Sequence, residues 1–277
     1  MGVSIINDIW APENQLVEAK EYVLSKTTDI PTTAVVLGSG MGYFANKVTP
    51  AVVLNNRDIP HFPQPTVIGH DGKMVFGSIQ DADIIVIQGR SHYYEGKSFS
   101  EITFYVQLLS RLGIKNLVLT NAAGGMNPSL KPGDFVLLND FINFTQIDVL
   151  PPKLVPEQPF SERLTVIAKN VANDLKIELH EGIYCWTTGP SFETHAEVQI
   201  IHDLGADVVG MSTVPEVIIG AYLKMNILGI SLVTNLAAGI GAMPLTHREV
   251  QLVADETKKP YSKFMSALIR NIVTSET

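Results

Sequence analysis

The chain has few of the features that mark secreted, membrane-spanning or nucleic-acid-binding proteins. Its one cysteine, Cys185, excludes an intrachain disulfide and suits a reducing cytoplasm. No apolar run approaches the roughly 20 residues that a membrane span needs, and the first residues lack the pattern of a secretory signal. The 20 basic residues stand against 28 acidic ones, for a formal net charge of −8, and form no basic cluster. We therefore expect a cytoplasmic protein whose partners are neither nucleic acid nor membranes.

Familiar cofactor and metal motifs are also missing. The segment Gly38–Gly42 is rich in glycine, but its third glycine comes one residue too early for the dinucleotide pattern G-x-G-x-x-G. No Gly-Lys-Ser/Thr follows, which excludes a Walker loop, and a two-domain nucleotide-dependent oxidoreductase is disfavoured. The seven histidines show no paired spacing of metal ligands. We expect neither a metal nor a redox cofactor.

What is present is an alternation of short apolar runs and amphipathic segments. Apolar runs without polar alternation are typical of strands buried on both faces, and helical spacing predicts helices between them. No segment resembles a linker, so we expect one α/β domain over residues 1–277. Ser100 is the expected N-cap of the helix over 99–112, and Gly113 its end. The predicted helices cover 13–26, 99–112, 162–175, 194–204, 214–225 and 247–273, and the strands 34–37, 75–79, 83–87, 117–120, 135–138, 183–187, 208–210 and 227–234.

Four of the apolar runs stop abruptly in clusters of small and polar residues. In sheets with parallel strands, ligands bind in the crevice outside the carboxyl ends of the strands. We therefore expect a site for a phosphate and a polar small molecule along one edge of the sheet. The four clusters are Gly38–Gly42, Gln88–His92, Thr120–Gly125 and Thr234–Asn235.

Each cluster taken alone has a structural and a functional interpretation. Gly38–Gly42 can direct backbone N–H groups at an anion, with Ser39 adding a hydroxyl, or it can be a plain strand-to-helix turn. Arg90 and His92 can bind a phosphate, or Arg90 can be a surface residue paired with a carboxylate such as Glu95.

Two further segments also have both a structural and a functional interpretation. Asn121–Gly125 has almost no side-chain bulk, so a flat ligand can lie on its backbone or a helix can pack closely there. His70, between two glycines, can be a simple turn residue. Cys185, flanked by aromatic residues, is expected to be a buried structural thiol rather than a nucleophile.

The order of six motifs resembles that of the trimeric class of purine nucleoside phosphorylases, from about Thr33 to Val253. The two most specific segments are Gly189–Thr194 and Val209–Val217, and the others are Gly38–Gly40, Gly89–Gly96, Thr120–Gly125 and Thr234–Asn235. The resemblance implies the fold of that family, a central mixed, largely parallel twisted sheet flanked by helices in a single domain. It also implies a homotrimer that transfers a pentosyl group from a purine nucleoside to inorganic phosphate.

The resemblance further implies a role for each matching residue. Glu193, Asn235 and His92 would be catalytic, and phosphate would be the co-substrate with no other cofactor. Phosphate would be bound by Ser39, His70, Arg90, His92, the backbone amide of Ala122 and Ser212. The nucleoside would be bound by Tyr94, Ala123, Gly124, Phe192, Glu193, Val209, Gly210, Met211, Asn235 and His247, with His247 at the 5′-hydroxyl.

The chemistry of these residue types agrees with the implied roles. Cleavage of an N-glycosidic bond builds positive charge on the sugar, which a neighbouring phosphate stabilises, and negative charge on the base. Asn235 can donate to N7 of the purine, and an ionised Glu193 can accept from N1–H. Adenine has a lone pair instead of N1–H, so we expect inosine and guanosine to be preferred to adenosine.

The chain departs from the family after Asn143. A long loop that carries an aromatic residue to the neighbouring subunit's ribose site is shortened to residues 146–160, and Phe160 is the one candidate for its replacement. Two alternatives remain at this point. A methylthioadenosine phosphorylase would be expected to have Asp in place of Asn235 and no need of His247, and a non-catalytic nucleoside-binding relative would not need the full set of phosphate ligands.

Overall fold

The computed structural model of the chain describes residues 9–64, 66, 72–240 and 247–275, with the backbone alone for 247–250. Strands and helices alternate in the second half of this length, whereas much of the first half consists of consecutive strands. The strands are β1 (Thr33–Leu37), β2 (Val52–Asn55), β3 (Lys73–Ile79), β4 (Ala82–Gln88), β5 (Asn116–Gly125), β6 (Phe135–Asn143), β7 (Leu179–Trp186), β8 (Val208–Gly210) and β9 (Asn226–Leu236). The helices are α1 (Glu13–Lys26), α2 (Phe99–Ile102), α3 (Phe104–Leu112), α4 (Glu162–Leu175), α5 (His195–Asp203), α6 (Val214–Tyr222), α7 (His247–Glu256) and α8 (Lys258–Thr274).

All these strands belong to one sheet, in the order β2-β3-β4-β1-β5-β8-β7-β6-β9. β9 also pairs with β5, so β5 to β9 close into a ring from which β1 to β4 extend. Of the strand pairings in the described chain, five are parallel and four are antiparallel. The expected α/β class, with a mixed sheet flanked by helices, is confirmed, although the sheet is less parallel than expected.

Helices bury both faces of the extended part of the sheet. Successive residues of a strand point to opposite faces, and every residue of β1 is buried. Ala34 and Val36 belong to the apolar core that also contains α1, α3 and α6, whereas Val35 and Leu37 belong to the core that contains α4 and α8. Because both faces are filled, a ligand has access mainly at the strand ends. No helix in the described ranges is both long and apolar enough to span a membrane.

The helix expected over 99–112 is divided in two, and its N-cap is Ser98 rather than Ser100. The Ser98 hydroxyl accepts from the backbone N–H of Glu101 at 3.3 Å, and the Glu101 carboxylate accepts from the backbone N–H of Ser98 at 2.9 Å. This reciprocal capping box favours a start at Phe99. The division falls at Thr103, whose hydroxyl donates to the carbonyl of Phe99 at 2.7 Å. Gly113 ends α3 with φ of +93°, as predicted.

Strand β5 is longer than its apolar run predicts. The run ends at Thr120, but the strand continues through Asn121–Gly125 and pairs with β9 along this length. A β-bulge between Ala123 and Gly124 shifts the register, so Gly124 lies opposite Asn235. The small side chains permit this close pairing, and the same residues form a wall of the candidate site.

The helix expected over 247–273 is divided in two at Thr257. α7 ends at Glu256 and α8 begins at Lys258, so Pro260 lies in the first turn of α8. A proline is tolerated there because the first N–H groups of a helix have no partner within it.

Candidate active site

One cleft of about 270 Å³ opens at the carboxyl ends of β1, β5 and β9. Fourteen of the sixteen site residues predicted from the sequence line it. Five residues without a predicted role complete the lining, and these are Gly38, Asn121, Pro190, Thr234 and Ala237. The predicted residues that line it are Ser39, Arg90, His92, Tyr94, Ala122, Ala123, Gly124, Phe192, Glu193, Val209, Gly210, Met211, Ser212 and Asn235.

The two other predicted residues cannot be placed in the cleft. His70 lies outside the described residues. His247 is the first residue of α7, but its side chain is outside the part of the chain that the structure describes. Their expected roles remain predictions.

Arg90 is a buried cation at the floor of the cleft. Its Nη1 donates to the carboxylate of Glu216 at 3.0 Å and to the hydroxyl of Thr213 at 3.2 Å, and lies 3.3 Å from that of Ser212. Its Nη2 donates to the carbonyl of Thr120. These contacts fix the plane of the guanidinium. The interpretation of Arg90 as a surface residue paired with Glu95 is wrong, because its carboxylate partner is Glu216 and both side chains are buried.

Glu216 and Tyr105 are members of this network that the sequence did not assign. The hydroxyl of Tyr105 donates to the second oxygen of Glu216. Burial, and then the charge of Glu216, raise the pKa of Tyr105 well above its ordinary value. Burial, the largest single effect, lowers the pKa of Arg90, but Glu216 together with Tyr105, Tyr184 and Tyr261 raises it by more, so Arg90 stays charged. The signal in the sequence was a lone carboxylate within the apolar run of α6.

The backbone at Thr213 is strained and is held by side-chain hydrogen bonds. Its φ of +71° and ψ of −49° form a γ-turn in which the N–H of Val214 donates to the carbonyl of Ser212 at 2.8 Å. The Thr213 hydroxyl accepts from Asn121 at 3.0 Å as well as from Arg90. The turn places Ser212 beside Arg90 at the amino end of α6, where an anion is favoured.

His92 is oriented by Glu95 and Tyr94. The Nδ1 of His92 lies 3.1 Å from the Glu95 carboxylate, and its ring stacks on that of Tyr94 with centroids 4.9 Å apart. Burial would raise the pKa of Glu95, but hydrogen bonds from His92 and Thr66 lower it to about 2. An ionised carboxylate only accepts hydrogen bonds, so Nδ1 of His92 is the donor. Burial, and then Glu95, raise the pKa of Tyr94 to about 12, so its hydroxyl stays protonated.

A carboxylate and an amide mark another part of the cleft. The Glu193 carboxylate accepts from the hydroxyl of Thr187 at 2.7 Å. The Asn235 amide oxygen accepts from the Thr234 hydroxyl at 3.0 Å, and a β-carbon added to Gly124 would lie 3.3 Å from the Asn235 nitrogen. The backbone of β5 therefore reaches from the Arg90 network to the amide that was expected to bind a purine.

Phe160 has a packing role within its own subunit. Its backbone forms a bridge with Ile227, and its ring packs against the core beside Gly229. Both residues are near the amino end of β9, whereas Asn235 is near its carboxyl end. The missing aromatic residue would act at the ribose site of a neighbouring subunit, so the expected replacement by Phe160 stays a prediction.

One group of donor atoms that the sequence did not suggest lies away from the cleft. Asp134, Glu178 and His180 bring ligand atoms within 4.8 Å of one another. Asp134 and Glu178 precede β6 and β7, so the group lies at the amino ends of these strands. The ammonium of Lys131 is 3.9 Å from Asp134 and 3.8 Å from Glu178, and already supplies a positive charge there.

The chain is similar to known proteins in both sequence and structure. A sequence model of the phosphorylase superfamily matches residues 32–270. Purine nucleoside phosphorylase 1 of Geobacillus stearothermophilus is 41% identical over 92% of this chain and 96% of its own length. For the Bacillus subtilis protein of the same name, the identity is 37% over 93% of this chain and 98% of the other. The structure of Schistosoma mansoni purine nucleoside phosphorylase with inosine has a TM-score of 0.86 at 30% identity, covering 95% of this chain and 98% of that one.

The chain therefore belongs to the phosphorylase superfamily. Within that superfamily it groups with the purine nucleoside phosphorylases, since the relatives of that name match it over nearly their whole length. It is an enzyme of the pentosyltransferase class, and its place is in nucleoside metabolism and purine salvage.

Proposed function

We propose that the chain catalyses the reversible phosphorolysis of 6-oxopurine nucleosides, inosine and guanosine and their 2′-deoxy forms. The products are the free base and ribose or deoxyribose 1-phosphate. Inorganic phosphate is the co-substrate, and no metal or organic cofactor takes part.

The observation that carries this proposal is the order of polar groups along β5. Asn121 contacts the Arg90 network through Thr213, and Gly124 lies opposite Asn235. Residues in a strand rise about 3.3 Å each, so these two ends are roughly 10 Å apart. That distance leaves room for a pentose between a phosphate and a purine.

The phosphate end suits an oxyanion that attacks C1′ of the sugar. Arg90, His92, Ser39, Ser212 and the amide of Ala122 are proposed to bind it. The C1′–N9 bond breaks as the new C1′–O bond forms, and its electron pair goes to the purine. The bound phosphate stabilises the positive charge that develops on the sugar, where Tyr94 and Met211 are proposed to lie.

The base end suits a purine with a 6-oxo group. Asn235 is proposed to donate to N7, where negative charge grows, and Glu193 to accept from N1–H. Adenine would bring a lone pair against the carboxylate, and leaving both unpaired costs about 1–3 kcal/mol. Ala123, Gly124, Phe192, Val209 and Gly210 are proposed to hold the planar ring.

Two histidines complete the proposed site. His70 would close over the phosphate, and His247 would bind the 5′-hydroxyl. His247→Ala should lower kcat/KM for inosine by about tenfold, on the order of one hydrogen bond, but leave 5′-deoxyinosine unchanged. Equal losses for both nucleosides would contradict the role of His247.

The localisation, oligomeric state and domain organisation of the enzyme are also proposals. We propose a cytoplasmic homotrimer in which residues 1–277 form one domain. Burial of Cys185 suits a reducing compartment. Ile200 of α5 and Leu204, the C-cap of that helix, are exposed apolar residues four positions apart, as subunit contacts often have. Light scattering should give three times the mass of 30.2 kDa, and a monomer would contradict the trimer.

A phosphorolysis panel tests the proposed function. Inosine, guanosine, adenosine, xanthosine and methylthioadenosine are incubated with and without phosphate, and base release is measured. Inosine and guanosine should release base only with phosphate, and adenosine should have a kcat/KM lower by at least about tenfold. Adenosine cleaved as efficiently as inosine would overturn the preference. Methylthioadenosine as the best substrate, or purine binding without cleavage, would favour the two alternatives instead.

A further inference from the structure

The Glu193 carboxylate is held by a residue to which neither the sequence nor the resemblance gives a role. The hydroxyl of Thr187 donates to Oε1 of Glu193 at 2.7 Å, a short distance for such a bond. Thr187 is itself half-buried, and it is not among the residues that line the cleft. Its contact with the ligand site therefore passes through Glu193.

Thr187 is fixed by the sheet, whereas Glu193 is not. Thr187 comes directly after β7, and its backbone N–H donates to the carbonyl of Gly210 at 2.9 Å, which extends the pairing of β7 with β8. Glu193 follows a turn and stands before Thr194, the exposed N-cap of α5. The hydroxyl thus ties a side chain on a connecting segment to a rigid strand end.

A glutamate without such a restraint samples several rotamers, and ordering it on binding opposes affinity. One donor at Oε1 fixes the plane of the carboxylate before the ligand arrives. Oε2 then has a set direction for the N1–H of a 6-oxopurine, and Oε1 keeps a second lone pair for a 2-amino group. A hydrogen bond to a charged group is stronger than one between neutral groups, so the restraint is firm.

We infer that Thr187 is a positioning residue that sets the preference for 6-oxopurines by holding Glu193 in the orientation that accepts from N1–H. This inference rests on the proposed function. It assigns the Thr187 hydroxyl no contact with phosphate or ribose. Its loss is therefore expected to affect recognition of the base and nothing else in the reaction.

Thr187→Val removes the hydroxyl and keeps the shape of the side chain. The variant should lose about tenfold in kcat/KM for inosine and guanosine, while kcat/KM for adenosine and KM for phosphate stay within about twofold of wild type. Thr187→Ser should restore inosine to within about twofold. The matched control is Thr188→Val, because the Thr188 hydroxyl makes no hydrogen bond within the described residues; this variant should behave as wild type.

Two results would overturn the inference. One is a kcat/KM for inosine that stays at the wild-type value in Thr187→Val. The other is an equal loss for both nucleosides together with a raised KM for phosphate, which would mean a general structural role.

Calorimetric binding of guanine separates this inference from the proposed function. If wild-type enzyme cleaves adenosine as efficiently as inosine, the proposed preference fails. The binding of guanine then still tests the positioning role of Thr187. A Kd about tenfold weaker in Thr187→Val, recovered in Thr187→Ser, supports the positioning role, and equal Kd values for all three proteins overturn it.

Discussion

The guanidinium of Arg90 and the carboxylate of Glu216 form a buried ion pair, 3.0 Å from Nη1 to Oε2, with side chains only 1% and 4% exposed. Tyr105 satisfies the second carboxylate oxygen, and Thr213 and Thr120 accept further bonds from Arg90. The pair thus holds a cation at the floor of the cleft with a fixed direction. Its energetic role differs from that of an exposed pair, since removing one partner leaves an uncompensated buried charge.

Glu216→Gln should lower the free energy of unfolding by about 3 kcal/mol, as measured by urea denaturation without phosphate. The uncompensated charge of Arg90 should then attract a dianion more strongly. Phosphate should therefore raise the melting temperature of the variant more than that of wild type.

The matched control is Glu181→Gln, which breaks a half-exposed pair with Lys169 at 2.8 Å. It should cost less than about 1 kcal/mol and leave the effect of phosphate unchanged. If both substitutions cost the same, the ion pair of Arg90 has no special role in stability.

Acid should destabilise the protein partly through Glu95. Its folded pKa of about 2 lies below the ordinary 4.5, so its ionised form stabilises the fold above about pH 4.5. That contribution is lost as the pH falls through about 4.5 toward 2. Urea denaturation of wild type and Glu95→Gln at several pH values should show the two curves converging in acid. Parallel curves would contradict the shifted pKa.

Gly210→Ala should disrupt the site because no space exists for a β-carbon. Such an atom would lie 2.3 Å from the Tyr184 hydroxyl and 3.0 Å from the ring carbon that bears it, and Tyr184 is fully buried. Overpacking of this kind costs about 1–3 kcal/mol. Because the Tyr184 hydroxyl also accepts from the N–H of Ser212 at 3.3 Å, KM for phosphate should rise.

A double variant checks the cause of that loss. Adding Tyr184→Phe removes the nearest atom, so part of the stability lost in Gly210→Ala should return. Losses that simply add would show that the clash lies elsewhere.

Asn235→Asp should change the preference among purines. A carboxylate can accept from a 6-amino group but repels a 6-oxo group, so kcat/KM for inosine should fall about 100-fold while the ratio of adenosine to inosine rises. The exposed Asn271→Asp on α8 serves as the control and should leave both values unchanged. A uniform loss for both nucleosides would remove Asn235 from base recognition.

Much of the local structure could be predicted because it depends on neighbouring residues. α1 and α4 begin and end where their apolar spacing indicates. β5 could not be bounded in this way, since Asn121–Gly125 has no strand-forming side chains and is ordered by its partners β8 and β9. The closure of β5 to β9 into a ring is likewise a long-range pairing without a local signal.

In the candidate site, too, some residues could be predicted from the sequence and others could not. Residues such as Arg90 and Asn235 stand at strand ends that the sequence identifies, and the cleft contains both. Glu216 contacts Arg90, which is 126 positions away in the sequence, and Thr187 contacts Glu193, which is 6 positions away. Only the fold shows these two contacts. The sequence alone therefore does not predict which side chains Glu216 and Thr187 contact.

The most direct test of the central claim is the stoichiometry of the reaction with inosine. Hypoxanthine release and ribose 1-phosphate formation are followed together, by absorbance and by ³¹P NMR, with phosphate present and absent. Equal amounts of both products are expected with phosphate, and no base release is expected without it. Base released at the same rate without phosphate, or no ribose 1-phosphate formed with it, would contradict the account.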